Sequence, residues 1–320
     1  EQSQVAASNV NARIAREVVT TYFNVQLIQR KIKAEEEAKT LRANQLSEVR
    51  SRNRAGAATK LDVLQAEYAL KSTEPQLHEF KNSLQLAILE LQQLTQLDPK
   101  SSFVLKNTLE QAFASARSHK APRLADLYQL ALKKSFSLRD LRLEKSRLRA
   151  DLESGQANNW PRIDLRFIAQ TRAYTKDEVF DDEVRNWRGE LAISLPLFNG
   201  LSSFADRSAI VEKLASLSLS IEIEQEKLLK ELTDHFHRRE LSYKQYESEK
   251  ANLTLAEESI KQARDLYEAG SAKLTDVLDA YTQKFDAIKN AGQAMYDHIA
   301  ATAWLQFYTD SLPGRLEEKS

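Results

Sequence analysis

The sequence predicts a mainly α-helical protein of long antiparallel coiled-coil helices, with one β-hairpin and an internal structural repeat. Composition is the first observation: the 320 residues include only seven Gly and six Pro but 29% charged residues, which is typical of long helices with few turns. Apolar residues also recur at spacings of three and four along most of the chain, as they do in coiled-coil seams. Near the middle, two segments change to a spacing of two, which indicates β-strands.

The chain begins with a predicted helical hairpin over residues 1–99, the first copy of the repeat. Its first helix extends to about residue 53, because nothing before that position breaks a helix. Gly56 follows, and a second helix is predicted over residues 59–97. Pro75 lies inside this second helix. Because proline cannot donate a backbone hydrogen bond, we expect a local bend there.

The next segments lead from the first copy to the second. Residues 100–123 lose the helical pattern, which predicts a linker with one short helix. Helical spacing resumes in the segment 124–159, where we expect a single helix over residues 124–157.

A β-hairpin is predicted over residues 160–200. Each of its two strands alternates apolar and polar residues over about ten positions, the length that a tilted strand needs to cross a bilayer. The connection between the two strands is acidic and polar. The apolar residues are Ile163, Leu165, Phe167 and Ala169 in the first strand and Trp187, Leu191, Ile193, Leu195 and Leu197 in the second.

The second copy of the helical hairpin is predicted over residues 201–313. Its two helices, at about 202–267 and 275–309, lie on either side of Gly270. A Pro-Gly pair ends the last helix, and residues 314–320 form a tail.

The two hairpins share a junction sequence. "RAGAATKLDVLQAE" at residues 54–67 returns as "EAGSAKLTDVLDAY" at residues 268–281, and the separation of Gly56 from Gly270 defines the repeat offset. The same offset relates the ends of both hairpins without a gap, which predicts a structural duplication. By this offset, the first copy's counterparts of the preceding helix and strands would fall before Glu1. We interpret them as an N-terminal part that this chain lacks; the alternative is that the first copy never had them.

Charge, cysteine content and hydropathy exclude several classes of function. Lys and Arg balance Asp and Glu at 46 each, so no bulk charge indicates a nucleic-acid partner. The absence of Cys excludes disulfides, thiolate metal sites and cysteine nucleophiles. No apolar run approaches the roughly 18 residues that a transmembrane helix needs. A soluble helical rod and a β-barrel membrane protein both remain open.

These elements together resemble the TolC-like outer-membrane efflux proteins, over nearly the whole chain. The most specific matches are Pro-Leu-Phe-x-Gly at Pro196–Gly200 and "YEAGSAKLTDVLDA" at residues 267–280. The resemblance implies a homotrimer in the bacterial outer membrane, in contact with its lipid. The β-hairpin would contribute to one trimeric β-barrel, and the helices would continue it as an α-barrel through the periplasm. It also implies a passive exit duct of a tripartite efflux pump or type I secretion system, with a periplasmic adaptor protein and an inner-membrane transporter as partners.

The two junctions are the candidate functional tips. From the residues alone, Gly56 and Gly270 predict left-handed helix caps, and the small residues around them permit close approach of helices. The resemblance implies in addition that these tips form the periplasmic mouth of the tunnel, where the adaptor docks. The expected docking residues are Ala55, Gly56, Ala57, Ala269, Gly270 and Ser271.

Three acidic residues and one tyrosine are further candidates at the mouth. The resemblance implies that Asp276 and Asp279 belong to acidic rings at the closed end of the tunnel, where three copies would make a cation-attracting constriction. It also implies that a hydrogen bond between Tyr267 and Asp62 helps to hold the entrance closed. For Asp62, a local role beside the positive end of its helix is equally open.

No motif in the sequence predicts an enzyme, a cofactor or a metal site. His235 and His237 are close in sequence, but a spacing of two puts them on different helix faces, unlike the zinc pattern of two His four residues apart.

A second hypothesis is a soluble coiled-coil scaffold without transport activity. Such a scaffold needs neither the strands nor the repeated tips, which favour the duct. Whether drugs, metal ions or proteins pass through is left open.

Overall fold

The structure is a computed structural model, and it describes residues 2–98, 105–118, 123–157, 161–171, 185–195 and 202–309. Several expectations lie outside these ranges. They concern the connection between the strands, the strand end at Pro196–Gly200, the stop at Pro313 and the tail at 314–320.

Within the described ranges the chain is mainly α-helical with one antiparallel pair of strands, as the sequence predicts. The short helix expected in the linker is α4. In chain order the elements are α1 (Gln2–Arg54), α2 (Lys60–Lys71), α3 (Thr73–Thr95), α4 (Leu109–Ser118), α5 (Leu124–Lys134), α6 (Phe136–Ala157), β1 (Arg162–Thr171), β2 (Arg185–Ser194), α7 (Ser202–Glu268) and α8 (Leu274–Thr309).

The chain forms two compact units. One contains residues 3–136 together with those from 226 onward, and so holds most of both helical hairpins. The other contains residues 137–225, with most of α6, the β-hairpin and the first part of α7.

The bounds of the helices confirm the duplication. The helix before each tip ends at Arg54 in the first copy and at Glu268 in the second, a separation equal to the repeat offset. The helix after each tip begins at Lys60 and at Leu274, with the same offset. Thr95 and Thr309, where the two hairpins end, are again separated by this offset.

One interruption distinguishes the first copy from the second. The helix expected over residues 59–97 is divided at Ser72 into α2 and α3, where Pro75 predicts a distortion. Pro75 has no backbone N–H to donate to the Lys71 carbonyl, but proline is tolerated in the first turn of a new helix. The equivalent position in the second copy is Lys289, which keeps its N–H, and α8 is continuous.

The single helix expected over residues 124–157 is wrong: the structure has two helices that meet at Ser135. The ψ angle of Ser135 is 121°, outside the helical range, although its N–H still donates to the Ala131 carbonyl at 2.7 Å. Ser135 and Ser137 flank Phe136, and serine side chains compete with the backbone for hydrogen bonds in a helix interior. The periodicity of apolar residues does not register such a local break.

The core of the first unit follows α1. Its apolar side chains pack against α3 at one level and against α8 at another, which confirms the seams expected from the spacing of three and four. The buried residues are Val25 and Ile28 with Ala87 and Leu91, and then Ala34 and Ala38 with Phe285.

The β-hairpin pairs its strands so that one face is apolar. Ile163 lies opposite Ile193 and Leu165 opposite Leu191, and the Phe167 and Trp187 rings stack with centroids 6.2 Å apart. The other face carries charged pairs, such as Arg162 with Asp164 at 3.0 Å and Arg188 with Glu190 at 3.3 Å. The apolar side chains are largely uncovered, with Leu165 81% exposed. Since an isolated two-stranded hairpin is only marginally stable in water, an apolar environment on this face would stabilise it.

None of the helices within the described ranges combines the length and the apolar content that a membrane crossing requires.

Candidate functional site at the hairpin tips

The first tip closes α1 with a left-handed glycine. Gly56 has φ +75°, a conformation that L side chains rarely adopt, and nothing lies within 4 Å of where its Cβ would be. Backbone conformation, rather than lack of space, therefore requires glycine here. The Gly56 N–H donates to the Asn53 carbonyl at 3.0 Å, and the Ala57 N–H to the Arg52 carbonyl at 2.8 Å. This pair of bonds is a Schellman motif, which satisfies the last carbonyls of the helix.

The second tip has the same geometry. Gly270 has φ +74°, and its N–H donates to the Tyr267 carbonyl at 3.1 Å. The Ser271 N–H donates to the Leu266 carbonyl at 2.8 Å. Each donor and acceptor follows its counterpart in the first tip by the repeat offset. The predicted helix caps at both glycines are confirmed, and Ala55, Ala57, Ala269 and Ser271 are exposed beside them.

The helices that leave the tips begin with an aspartate in the same role. The Thr59 N–H donates to the Asp62 carboxylate at 2.8 Å, and the Asp62 N–H donates to the Thr59 hydroxyl at 3.1 Å, which completes a capping box. In the second copy the Lys273 N–H donates to the Asp276 carboxylate at 3.0 Å. Lysine offers no acceptor, so the cap of α8 rests on Asp276 alone.

Asp279 lies one helical turn beyond Asp276 and is exposed. It borders a groove of about 480 Å³ between α2 and α8, with Leu64 and Tyr68 on the α2 side. Arg42 of α1 joins the two walls by donating to the Ala69 carbonyl at 3.2 Å and to a threonine hydroxyl of α8 at 3.3 Å.

Tyr267 is buried, with 8% of its surface exposed. Its hydroxyl has no hydrogen-bond partner among the described residues, and the Asp62 carboxylate is engaged by Thr59. The Tyr267–Asp62 hydrogen bond is therefore not formed in this structure. Burial raises the pKa of the Tyr267 hydroxyl, and the negative charge of Asp62 raises it further.

A shared apolar core joins the two tips. Val49 and Val63 of the first copy pack with Tyr267, Val277 and Tyr281 of the second. The two copies contribute to this core from positions that are not all equivalent, because the counterparts of Tyr267, Leu274 and Tyr281 in the first copy are Asn53, Lys60 and Glu67.

Arg52 makes a contact between the tips that the sequence did not indicate. Its Nη2 lies 3.4 Å from the carbonyl oxygens of both Tyr267 and Glu268, at the end of α7. Its Cζ lies 4.9 Å from the centroid of the Tyr267 ring. In the sequence, Arg52 is recognisable only as a basic residue in the last turn of α1. Such a residue is expected to contact the last carbonyls of its own helix, not those of α7.

The two histidines that are close in sequence have unrelated surroundings. The His235 ring stacks on the Trp304 ring with centroids 4.5 Å apart, whereas His237 is exposed. Among the described residues, no group of three or more His, Cys, Asp or Glu could hold a metal ion.

One protein family matches the chain along most of its length. The sequence profile described as outer membrane efflux protein matches residues 1–95 and 127–309. No curated protein sequence gives a significant match.

Solved structures share the fold at low sequence identity. A membrane protein from Pseudomonas aeruginosa aligns with a TM-score of 0.81 and 20% identity, over 96% of this chain and 70% of that one. CusC aligns with a TM-score of 0.84 and 20% identity, over 96% of this chain and 70% of its own. The outer membrane protein VceC from Vibrio cholerae aligns with a TM-score of 0.79 and 17% identity, over 97% and 72%.

Proposed function

Because the chain belongs to the outer membrane efflux protein family, we propose that it is the exit duct of a tripartite efflux pump or of a type I secretion system. The family is one of channel proteins of the outer membrane, with helices in the periplasm. The duct would be passive. Cargo would move through it while an inner-membrane transporter supplies the energy.

The uncovered apolar face of the β-hairpin is the observation that carries the proposal. Its large side chains are exposed along the whole face, from Leu195 at 51% to Leu165 at 81%, while the opposite face carries ion pairs. This division suits lipid on one side and an aqueous lumen on the other. A soluble scaffold, the second hypothesis, would leave the same apolar face in water at a considerable cost in free energy.

Two strands cannot close a barrel, so the hairpin needs strands from further chain or from other copies. We assign these partners to a homotrimer. The helical part supports this, because α2 exposes Leu61, Leu64 and Tyr68 at spacings of three and four, with 62%, 53% and 77% exposure. Helices in a closed ring bury apolar stripes on two sides, and in the proposed trimer this stripe would meet a second copy.

The tips are the proposed docking site for a periplasmic adaptor protein. Their small, exposed side chains leave the backbone of both turns accessible to a partner helix. Asp276 and Asp279, both exposed on the first turns of α8, are the proposed acidic ring. The latch between Tyr267 and Asp62 stays a prediction for another state of the mouth, in which Asp62 would exchange Thr59 for the Tyr267 hydroxyl.

Oligomeric state and conductance test the duct directly. The full-length protein, extracted from outer membranes, is expected to run as a trimer and to give discrete ion conductance in planar lipid bilayers. Recovery of the full-length protein as a soluble monomer or dimer would instead support the scaffold. A membrane-inserted trimer without conductance under any voltage or salt condition would contradict the passive duct.

A further inference from the structure

The second tip is contacted by a polar residue of the first hairpin, in addition to the backbone bonds of its own turn. At the first tip, the Asn53 side chain donates to the Ala58 carbonyl at 2.8 Å, so that this turn is tied by its own residues. The equivalent position of the second tip is Tyr267, whose ring lacks an amide donor. Arg52 reaches across instead and donates to the Tyr267 and Glu268 carbonyls from a distance of 3.4 Å.

Three attractions act on the same guanidinium. The last carbonyls of α7 are hydrogen-bond acceptors without a following helical turn. They also form the negative end of the helix dipole, which favours a cation. The Tyr267 ring adds a cation–π contact, with its centroid 4.9 Å from Arg52 Cζ. Arginine is suited to this position because a single guanidinium nitrogen, Nη2, carries two N–H groups that can serve two carbonyls, and because a guanidinium also interacts favourably with an aromatic ring.

The contact has no counterpart at the equivalent position of the second copy. The residue there is Leu266, which is 51% exposed and offers no donor. Arg52 therefore adds a polar contact at the α7 end to the apolar core that the two tips share and to the Arg264–Glu48 ion pair at 3.7 Å, which lies further from the turns.

We propose that Arg52 is a positioning residue that ties the end of α7 to the first hairpin and thereby restricts opening of the tunnel mouth. This inference rests on the proposed function as an exit duct. Loss of the guanidinium removes this tie to the last carbonyls of α7, while the two glycine turns, the apolar core and the Arg264–Glu48 ion pair at 3.7 Å stay in place.

The test compares two arginine variants of the full-length protein. Arg52→Gln removes the bridge, and Arg50→Gln is the matched control. Arg50 carries the same charge at the same tip but is exposed and pairs with Glu67 of its own copy at 3.6 Å.

Amide hydrogen exchange is measured at Ala269–Ala272, whose N–H groups close the second turn. Arg52→Gln is expected to speed exchange there by about two- to tenfold, the range that corresponds to one net hydrogen bond. Arg50→Gln leaves exchange at the wild-type rate, and Arg52→Lys falls between the two.

Single-channel recording then tests the role of Arg52 in opening separately from the proposed function as an exit duct. Arg52→Gln is expected to lengthen the open time of the mouth relative to wild type and Arg50→Gln. Equal exchange rates for Arg52→Gln and Arg50→Gln overturn the proposal. So does faster exchange with unchanged open times in a conducting trimer. If wild type itself never conducts, the duct is contradicted, and the exchange rates still decide whether Arg52 holds the two tips together.

Discussion

Asp62 and Asp276 lie at equivalent positions of the two copies, and each carboxylate accepts the backbone N–H of the residue three positions before it. The two differ in what surrounds this bond. Asp62 also receives the Thr59 hydroxyl at 2.8 Å, whereas Asp276 is preceded by Lys273 and caps α8 alone. Asp276 therefore combines a structural role in its own helix with the proposed role in a charged ring.

Replacement by asparagine separates these two roles. Asparagine keeps a carbonyl oxygen that can accept the Lys273 N–H, but it removes the charge. In a conducting trimer, Asp276→Asn with Asp279→Asn is expected to weaken block by divalent cations, with little change in thermal stability. Asp276→Ala should lower stability further, by about 1 kcal/mol for the lost cap. Block is measured in planar bilayers and stability by thermal unfolding.

The control for that experiment is a pair of exposed acids on α7. Glu247→Gln with Glu258→Gln removes the same number of charges away from the tips and should leave cation block unchanged. Equal cation block in wild type and in the Asp276→Asn/Asp279→Asn variant would rule out the acidic ring. It would not affect the conclusion that Asp276 caps α8.

Gly270 and Gly155 predict opposite responses to alanine. Gly270 has φ +74°, so Gly270→Ala forces a side chain into the left-handed region and is expected to cost about 1–2 kcal/mol of unfolding free energy. Gly155 lies in α6 with open space around its Cβ position, so Gly155→Ala should stabilise by about 0.5–1 kcal/mol. Chemical denaturation of the two variants measures both. A neutral Gly270→Ala would mean that the second turn does not need the left-handed backbone.

Arg16 is expected to contribute to stability through aromatic contacts rather than through its ion pair. Its Cζ lies 3.6 Å from the centroid of the Trp304 ring. The His235 ring also stacks on Trp304. Its side chain is only 11% exposed, and burial lowers the pKa of the guanidinium. Arg16→Gln is expected to destabilise the protein by about 1–2 kcal/mol, the range for a desolvated cation–π contact.

Arg13 supplies the control for Arg16. It lies almost one turn earlier on α1 and is 59% exposed. It contacts Glu17 at 4.0 Å, and Glu17 is also the ion-pair partner of Arg16, at 3.6 Å. Arg13→Gln should change the unfolding free energy by less than about 0.5 kcal/mol, as is usual for exposed ion pairs. Equal losses for the two variants would show that charge, and not the Trp304 ring, explains the effect of Arg16.

Much of this fold follows from local sequence signals, and the exceptions have two causes. The positions of Gly56 and Gly270, the common offset and the period-two strands are readable because a turn or a strand face depends on nearby residues. The contacts of Arg52 with α7 and of Arg16 with Trp304 join residues that are far apart in the chain, in different copies of the repeat. Nothing in their local pattern identifies the partner. The break at Ser135 was missed for a different reason, since it interrupts the backbone without disturbing the apolar spacing.

His298 predicts how stability depends on pH. It is 3% exposed, and its Nδ1 lies 2.8 Å from the backbone carbonyl oxygen of Arg239. The Arg239 guanidinium donates in turn to the Ala116 carbonyl of α4. The Phe113 ring of α4 packs edge-on against the imidazole, with centroids 5.2 Å apart. Burial lowers the pKa of His298. The hydrogen bond to the Arg239 backbone opposes this shift, and the positive charge of Arg239 adds to it.

The sign follows from linkage. Between the folded and the unfolded pKa values, the unfolded chain binds a proton that the folded protein does not, so stability rises with pH in that window. The contribution of His298 is therefore complete above about pH 6.5 and is lost as the pH falls below that value. His298→Asn keeps an N–H donor near the Nδ1 position and cannot titrate. Wild type is expected to lose thermal stability more steeply than His298→Asn between about pH 7.5 and pH 5.5. Parallel slopes for the two proteins would show that the pKa of His298 does not differ between the folded and the unfolded chain. His235, whose pKa burial also lowers, contributes the same pH dependence to both proteins and does not affect the comparison.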